Sequence, residues 1–204
     1  MSKNKSVYHY IDQRTDEWFE IRKKRLTASH AQAIAAAAAG LETYTTKVVA
    51  ECFSDEDNPY TNDYMDNGTE REDEAILVYE FEKELKVDSI GFITYGDYAG
   101  GSPDGLVGKD GMIEIKRRKN TIFTGIVLTN KIDSGTVWQM QMNLLISGRK
   151  WCDFIAYNET FSNPLYVKRI LADEKAFEKL EKGIEIGAKQ IEEKYKAMYK
   201  HQNS

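Results

Sequence analysis

The chain has few of the residues that signal disorder, disulfide bonding or a zinc site. Its 204 residues include only three prolines, two cysteines and three histidines. With 41% hydrophobic residues, so little proline argues against a disordered chain and indicates a folded globule. Cys52 and Cys152 lack the close spacing of metal ligands, so we expect two buried thiols in a reducing compartment.

Long hydrophobic runs are also missing. No stretch approaches the 18 consecutive apolar residues of a membrane-spanning helix, and the N-terminal MSKNKSVYHY lacks the apolar core of a signal peptide. The sequence therefore predicts no membrane association and a cytoplasmic location. Its length suits one domain over residues 1–204, and it shows no internal repeat or low-complexity linker.

Charge is distributed unevenly along the chain. Residues 51–90 hold 14 acidic and three basic side chains, a net −11, so the rest of the chain carries +6 because the total is −5. Two basic clusters, 22–25 and 116–119, lie in that remainder. A basic face on an acidic protein is compatible with binding nucleic-acid phosphates, although a solvated surface would produce the same pattern.

The hydrophobic spacing predicts a mixed α/β domain. Stretches with helical periodicity alternate with short strands punctuated by glycine, which favours a mixed central β-sheet flanked by helices. Helices are predicted at 12–25, 26–40, 43–53, 67–85, 137–148 and 173–200, strands within 89–119 and 150–173, and a polar loop at 54–63.

One strand carries charge where a core strand should be apolar. In GMIEIKRRK, Glu114 and Lys116 are two residues apart and therefore share one face of a strand, while Ile113 and Ile115 share the other. The preceding residues 109–111 form a hairpin signal. Folding back at that turn brings Asp104 close to Glu114, so two carboxylates and an ammonium collect on one side.

This grouping has a chemical and a structural interpretation. Neighbouring carboxylates repel each other unless a cation lies between them, and oxygen ligands suit Mg²⁺ or Mn²⁺. A metal-bound water beside a lysine is suited to phosphodiester hydrolysis. An exposed hairpin with a surface salt bridge would carry the same short pattern equally well.

Four blocks of the sequence, in order, resemble the lambda exonuclease and YqaJ-like viral recombinase family of the PD-(D/E)xK nuclease superfamily. The motif block is similar to the nuclease signature, and the others resemble an N-terminal W-x-x-x-R with T-A-S, a G-x-x-x-E helix and a glutamine-bearing helix. The blocks are TDEWFEIRKKRLTAS, NGTEREDEAILVYE, SPDGLVG with GMIEIK, and WQMQMNLLISG. The resemblance implies a PD-(D/E)xK restriction-endonuclease-like core.

The resemblance also implies roles for individual residues. Asp104, Glu114 and Glu72 would be catalytic metal ligands together with the Ile115 carbonyl, and Lys116 would orient the attacking water. A second group would bind the 5′-terminal DNA phosphate or line the site beside it. This second group comprises Arg22, Ser29, Ser102, Gln139 and Trp18.

Several assignments stay open at this stage. Helical phase does not choose between Glu72 and Glu70, since each shares a face with apolar residues, and only the family pattern selects Glu72. Gln141 is a second choice after Gln139 and could equally be a hydrogen-bonded core amide. The sequence departs from the family where Arg117 and Arg118 replace the usual cysteine and proline, and in the alanine run 35–39.

The resemblance implies an enzyme that digests one strand of linear duplex DNA from its 5′ end. It would use two Mg²⁺ ions, for which Mn²⁺ can substitute, and it would act as a homotrimer. It would supply single strands to an annealing protein in phage-type recombination inside a bacterial host. A PD-(D/E)xK endonuclease and a DNA-end-binding protein without turnover are the alternatives.

Overall fold

The computed structural model describes residues 5–54 and 66–204, with side chains from residue 72 onward in the second range. Seven helices and nine strands alternate along these residues. The helices are α1 (Asp16–Arg22), α2 (Ala31–Ala36), α3 (Ala39–Ala50), α4 (Asp66–Lys83), α5 (Asn120–Thr129), α6 (Ser134–Ser147) and α7 (Glu174–Gln202). The strands are β1 (Ser6–His9), β2 (Leu26–Thr27), β3 (Val87–Asp88), β4 (Phe92–Tyr95), β5 (Ala99–Gly101), β6 (Gly105–Val107), β7 (Gly111–Arg117), β8 (Trp151–Tyr157) and β9 (Leu165–Leu171).

The strands form two mixed sheets in place of the single central sheet that the sequence suggested. The larger sheet has the order β3-β6-β7-β8-β9, with a parallel pairing only between β7 and β8. The smaller sheet has the order β1-β4-β5-β2, in which β2 and β5 run parallel. The flanked α/β architecture is therefore confirmed, with the strands divided between two sheets.

The larger sheet separates two apolar layers. On one face, Ile113, Ile115 and Ile155 pack with Ala75 and Tyr79 of α4. On the other face, Met112 and Phe154 join the main core, to which α2, α3, α5, α6 and α7 all contribute. The odd-numbered residues of β7 thus face α4, and the even-numbered ones, including Glu114, point the opposite way.

The segment 26–40 is not the single helix that its alanine content predicts. Residues Leu26–Thr27 form strand β2, a short 3-10 helix follows at Ala28–His30, and α2 ends at Ala36 with Ala37 as its C-cap. Ala37 has a positive φ of 48°, which places it in the left-handed region and stops the helix. Gly40, the predicted stop, lies inside α3. Pairing of β2 with β5 outweighs local helix propensity here.

The other helix predictions differ mainly at their ends. Thr15 caps α1 by accepting a hydrogen bond from the Trp18 backbone N–H, and the helix is shorter than the predicted 12–25. Helix α5 was not predicted. The long α7 packs closely on α2, since a side chain at Gly183 would meet the Ile34 carbonyl. The predicted loop 54–63 lies almost wholly outside the described residues.

Two further predictions concern cysteines and membranes. Cys152 is buried as expected, whereas Cys52 is half-buried, and both are free thiols. Within residues 5–54 and 66–204, none of the helices is both long and apolar enough to cross a membrane.

Candidate active site

The hairpin between β6 and β7 brings Asp104 and Glu114 together. Gly105 lies opposite Ile113 in the antiparallel register, so the next pair along the ladder is Asp104 and Glu114. The Asp104 backbone N–H donates to the Ile113 carbonyl at 3.3 Å. Its Oδ2 accepts a hydrogen bond of 2.6 Å from the Ile115 N–H, which fixes the orientation of this carboxylate.

Glu114 is fully buried, and neither of its carboxylate oxygens has a hydrogen-bond partner. Within the described part of the chain, its one charged partner is Lys116, whose Nζ forms an ion pair with Glu114 Oε1 at 2.6 Å. Buried carboxylates are normally hydrogen-bonded, because leaving one unsatisfied costs free energy. This unsatisfied carboxylate is therefore the most unusual group in the hairpin.

The ionisation of the acids reflects this burial and crowding. Burial, then the Asp104 charge, raise the pKa of Glu114 to about 8. Burial also raises the pKa of Asp104, against the opposing effects of Lys116 and the Ile115 N–H. Burial alone would lower the pKa of Lys116, but Glu114 and Asp104 outweigh it and raise that pKa. A cation at this position would favour the charged form of both acids.

Helix α4 directs Glu72 towards the same hairpin. Ala75 and Tyr79, on the face of Glu72, are buried, whereas Leu77 and Phe81 are exposed. Burial, then the Asp104 charge, raise the pKa of Glu72 to about 7, which indicates proximity of the two acids. The structure therefore supplies the helical phase that sequence alone could not. The Glu70 side chain lies outside the described residues.

Arg14 is a residue that the sequence analysis did not single out. Its Nη2 lies 3.8 Å from Glu72 Oε2, and its backbone has a positive φ of 68°. Arg14, Glu72 and Asp104 line one cleft of about 320 Å³. No local sequence signal distinguishes Arg14, because it lies in a stretch that reads as the start of a helix.

The donor set suits a hard divalent cation. Among the described residues, no three His, Cys, Asp or Glu side chains form a preassembled metal cage. Mg²⁺ nevertheless uses only one or two protein carboxylates and keeps several waters. The buried Glu114 carboxylate, which has the Lys116 ion pair but no further partner in the described chain and faces Asp104 across the hairpin, fits such an ion. The Ile115 carbonyl and Glu72 are the further oxygen ligands that the resemblance implies.

A second group of predicted residues surrounds the buried Trp18 ring. The guanidinium carbon of Arg22 lies 3.9 Å from the ring centroid, so the two side chains stack as their one-turn spacing predicts. The indole Nε1–H donates to the Gly91 carbonyl at 3.0 Å and to Ser102 Oγ at 3.1 Å. Trp18 thereby links Arg22 to Ser102, which follows strand β5.

Ser29 and Ser102 each follow one strand of the parallel pair β2 and β5. Thr27 lies opposite Gly100 at the end of this pairing, and the 3-10 helix Ala28–His30, which contains Ser29, begins directly after it. Ser29 is exposed, and its Oγ lies 3.1 Å from Thr27 Oγ1. The structure thus brings Trp18, Arg22 and Ser102 together, and Ser29 follows the strand that pairs with the one before Ser102.

The two candidate glutamines of α6 differ in their surroundings. The Gln141 side chain is buried, donates to the Leu171 carbonyl at 2.8 Å and accepts from the Asp173 N–H at 3.0 Å. It is therefore the hydrogen-bonded core amide that the sequence left open, and it ties α6 to the start of α7. Gln139 is half-buried and remains the candidate for lining the site.

Comparison with known proteins identifies relatives of this arrangement. The model of the YqaJ-like viral recombinase domain matches residues 17–150. No curated protein sequence matches the chain significantly.

Among solved structures, the alkaline exonuclease of Laribacter hongkongensis is similar both alone and in its complex with dAMP. In each case the identity is 28% and the TM-score 0.82, covering 93% of this chain and 98% of the other. A phage-related exonuclease from Haemophilus somnus 129PT shares the fold with a TM-score of 0.64 at 13% identity, covering 85% and 96% of the two chains. These matches agree with a PD-(D/E)xK-like nuclease core, and the chain belongs to the YqaJ-like viral recombinase domain family of nucleases.

Proposed function

We propose that this nuclease is a Mg²⁺-dependent exonuclease that digests one strand of linear duplex DNA in the 5′-to-3′ direction. The observation that carries the proposal is the buried Glu114 carboxylate, with no hydrogen-bond partner, between Asp104 and Lys116. A buried carboxylate without hydrogen bonds destabilises the metal-free protein. A bound cation would offset this cost because it would coordinate the carboxylate oxygens.

Asp104, Glu114, Glu72 and the Ile115 carbonyl would hold Mg²⁺, two ions by family resemblance, with Mn²⁺ as a substitute. When bound, the metal supplies an activated water and stabilises charge on the scissile phosphate. Lys116 would orient that water and stabilise developing negative charge through its ammonium. The hydrogen bond from the Ile115 N–H keeps Asp104 oriented before substrate arrives.

The group around Trp18 would bind the end of the digested strand. Arg22 and the hydroxyls of Ser29 and Ser102 provide a cation and hydrogen-bond donors of the kind that bind a terminal phosphate. Gln139 would line the site next to this group. A phosphate anchored here would place the first phosphodiester at the metal and so set the 5′-to-3′ polarity.

The proposal extends to assembly and cellular setting. We infer a homotrimer that encircles duplex DNA and delivers the remaining strand to a single-strand annealing protein. The setting would be phage-type recombination in the cytoplasm of a bacterial host. The acidic stretch 51–90, apart from Glu72, would then lie on an outer surface or at a subunit contact.

The direct test is a time course with linear duplex labelled at either the 5′ or the 3′ end, with Mg²⁺ or with EDTA. With Mg²⁺, we expect labelled mononucleotide from the 5′ end at the earliest times and release of the 3′ label only late. With EDTA, we expect no release of either label. Early release of the 3′ label would contradict the polarity, and digestion in EDTA would contradict the metal requirement.

Closed circular duplex separates the alternatives. An exonuclease leaves circles intact, whereas a PD-(D/E)xK endonuclease cuts them. Binding of linear ends without any release of nucleotides would instead indicate an end-binding protein.

A further inference from the structure

His30 forms a hydrogen-bonded chain with the exposed Ser29. The buried Tyr44 hydroxyl accepts from the Thr27 backbone N–H at 2.9 Å and lies 3.0 Å from Thr27 Oγ1. Thr27 Oγ1 lies 3.1 Å from Ser29 Oγ, which in turn lies 3.2 Å from His30 Nδ1. The imidazole stacks on the Tyr44 ring at 3.8 Å with an interplanar angle of 10°, so its position is fixed.

The direction of these hydrogen bonds decides what Ser29 offers to a ligand. The Tyr44 hydroxyl oxygen accepts from a backbone N–H, and its hydrogen is within reach of Thr27 Oγ1; in the arrangement where Tyr44 donates to Thr27, the Thr27 hydroxyl donates to Ser29 Oγ. If His30 Nδ1 accepts, the single hydrogen of the Ser29 hydroxyl is used inside the protein. If His30 Nδ1 carries a proton and donates, Ser29 accepts twice and its hydrogen points outward.

Charged groups near His30 determine whether its Nδ1 carries a proton and can donate to Ser29. In the free protein, burial, then Lys47 of α3 and Arg22 of α1, lower the pKa of His30. Tyr44, the other titratable group against the ring, has a pKa raised by burial and stays neutral. A dianionic phosphate beside Arg22 would oppose the effect of both cations and favour the imidazolium form.

We propose that His30 is a positioning residue for the 5′-terminal phosphate: by donating Nδ1–H to Ser29 Oγ, it directs the Ser29 hydroxyl hydrogen to that phosphate. The inference rests on the proposed binding of a 5′ phosphate by Arg22 and Ser29. Binding of the dianion takes one proton from solvent onto His30, and dissociation of the phosphate returns it. His30 itself does not contact the reacting atoms.

Two substitutions separate this role from simple packing. His30→Phe keeps a ring against Tyr44 but has no nitrogen at Nδ1. His30→Asn keeps an amide donor near that position but cannot titrate. His9→Asn is the matched control, because His9 lies on β1 and its Nε2 contacts Thr94 Oγ1 at 3.3 Å.

The measured quantity is the ratio of kcat/KM for 5′-phosphorylated duplex to kcat/KM for the same duplex with a 5′ hydroxyl. In the unchanged protein this ratio should rise as the pH falls from 8 to 7, a window about one unit above the pKa near 6 at which the phosphate itself takes a proton. His30→Phe should lower the ratio at pH 7 by about tenfold, the effect of losing one hydrogen bond to a charged group. His30→Asn should keep a preference that no longer depends on pH, and His9→Asn should leave the profile unchanged.

The outcomes distinguish this inference from the proposed function. If the unchanged protein digests phosphorylated and hydroxyl ends equally, recognition of the 5′ phosphate itself is wrong. If the preference exists and both His30 variants retain its size and pH profile, His30 has only a packing role. Should His30→Phe fail to fold, the pH profile of His30→Asn still decides, because loss of the slope supports the relay and its retention refutes it.

Discussion

Two buried carboxylates on opposite faces of the larger sheet have opposite surroundings. Glu114 of β7 points towards the main core, and both of its oxygens lack hydrogen-bond partners. Asp153 of β8 is on the α4 face, where Tyr79 donates to Oδ2 at 2.8 Å and Arg169 donates to both oxygens at 2.8 Å. Asp153 thus receives three hydrogen bonds from the protein, whereas Glu114 has, among the described residues, only the ion pair with Lys116.

The Asp153 cluster has the features of a structural connection. It joins α4 through Tyr79, β8 through Asp153 and β9 through Arg169, whose guanidinium stacks on Trp151 at 3.6 Å. A buried acid with this many donors gains no further stabilisation from a ligand. Glu114 lies in the same sheet and is as buried as Asp153, but it has fewer partners. Glu114 is therefore the acid whose oxygens are left to bind a metal or substrate.

The largest effect should come from Lys116→Ala at the unsatisfied site. Loss of the ammonium beside Glu114 should lower kcat by on the order of 10³-fold, because the attacking water loses its orienting group. Affinity for duplex ends, measured by fluorescence anisotropy in Ca²⁺, should change little. Lys150→Ala, at an exposed ion pair with Asp110, is the control and should keep full activity. A loss of DNA binding in Lys116→Ala would instead make Lys116 a phosphate contact.

Glu114→Gln should weaken Mg²⁺ binding by on the order of 10²-fold, since it replaces a charged ligand with a neutral amide. Calorimetric titration of the protein with MgCl₂ measures this directly. An affinity within twofold of the unchanged protein would exclude Glu114 as a ligand.

The same substitution should alter how metal-free stability depends on pH. The folded pKa of Glu114, about 8, exceeds its ordinary value of 4.5, so the stability that its protonated form contributes is complete below pH 4.5 and is lost as the pH rises through 8. In EDTA, the Tm of Glu114→Gln should therefore fall less between pH 5 and 8.5 than that of the unchanged protein. Parallel Tm curves would show that Glu114 is already ionised in the metal-free protein.

On the satisfied side, Arg169→Ala should lower stability by about 2 kcal/mol, since Asp153 loses its counter-ion. The effect should be smaller than the roughly 3–5 kcal/mol of a fully buried pair, because the Arg169 side chain is 48% exposed. Urea unfolding measures the change, and kcat at 25 °C should stay within about twofold because the cluster does not face Glu114. Arg117→Ala, which breaks the exposed pair with Glu159, is the control with a loss of at most about 1 kcal/mol. A large loss of kcat in Arg169→Ala, without loss of stability, would make the two clusters functionally equivalent.

The contrast between the two clusters also shows what sequence could predict. The hairpin and the alternation of Glu114 and Lys116 with isoleucines depend on local spacing, and the structure confirms both. The Asp153 cluster depends on contacts among three elements far apart in the chain, and no local sequence pattern predicts it.

Errors in the prediction have the same origin. The alanine-rich segment has strong helix propensity, yet Leu26–Thr27 pair with β5 and form strand β2, a non-local contact that propensity cannot register. The phase of α4 was undetermined because Leu77 and Phe81 are as apolar as Ala75 and Tyr79, although the first two are exposed. Only packing against the sheet shows that Glu72 is on the inward face.

The smallest expected effect tests whether α4 is held in that phase by the satisfied cluster. Tyr79 lies seven residues after Glu72 on the same helix face. Tyr79→Phe removes one of three hydrogen bonds to Asp153 without opening a cavity. We expect a loss of about 1 kcal/mol in urea unfolding and an unchanged Mg²⁺ affinity, because Arg169 still pairs with Asp153 and the ring still packs on Ile113 and Ile115. A drop in Mg²⁺ affinity with unchanged stability would mean that the Tyr79 hydroxyl sets the position of Glu72, and the two carboxylate sites would then be coupled through α4.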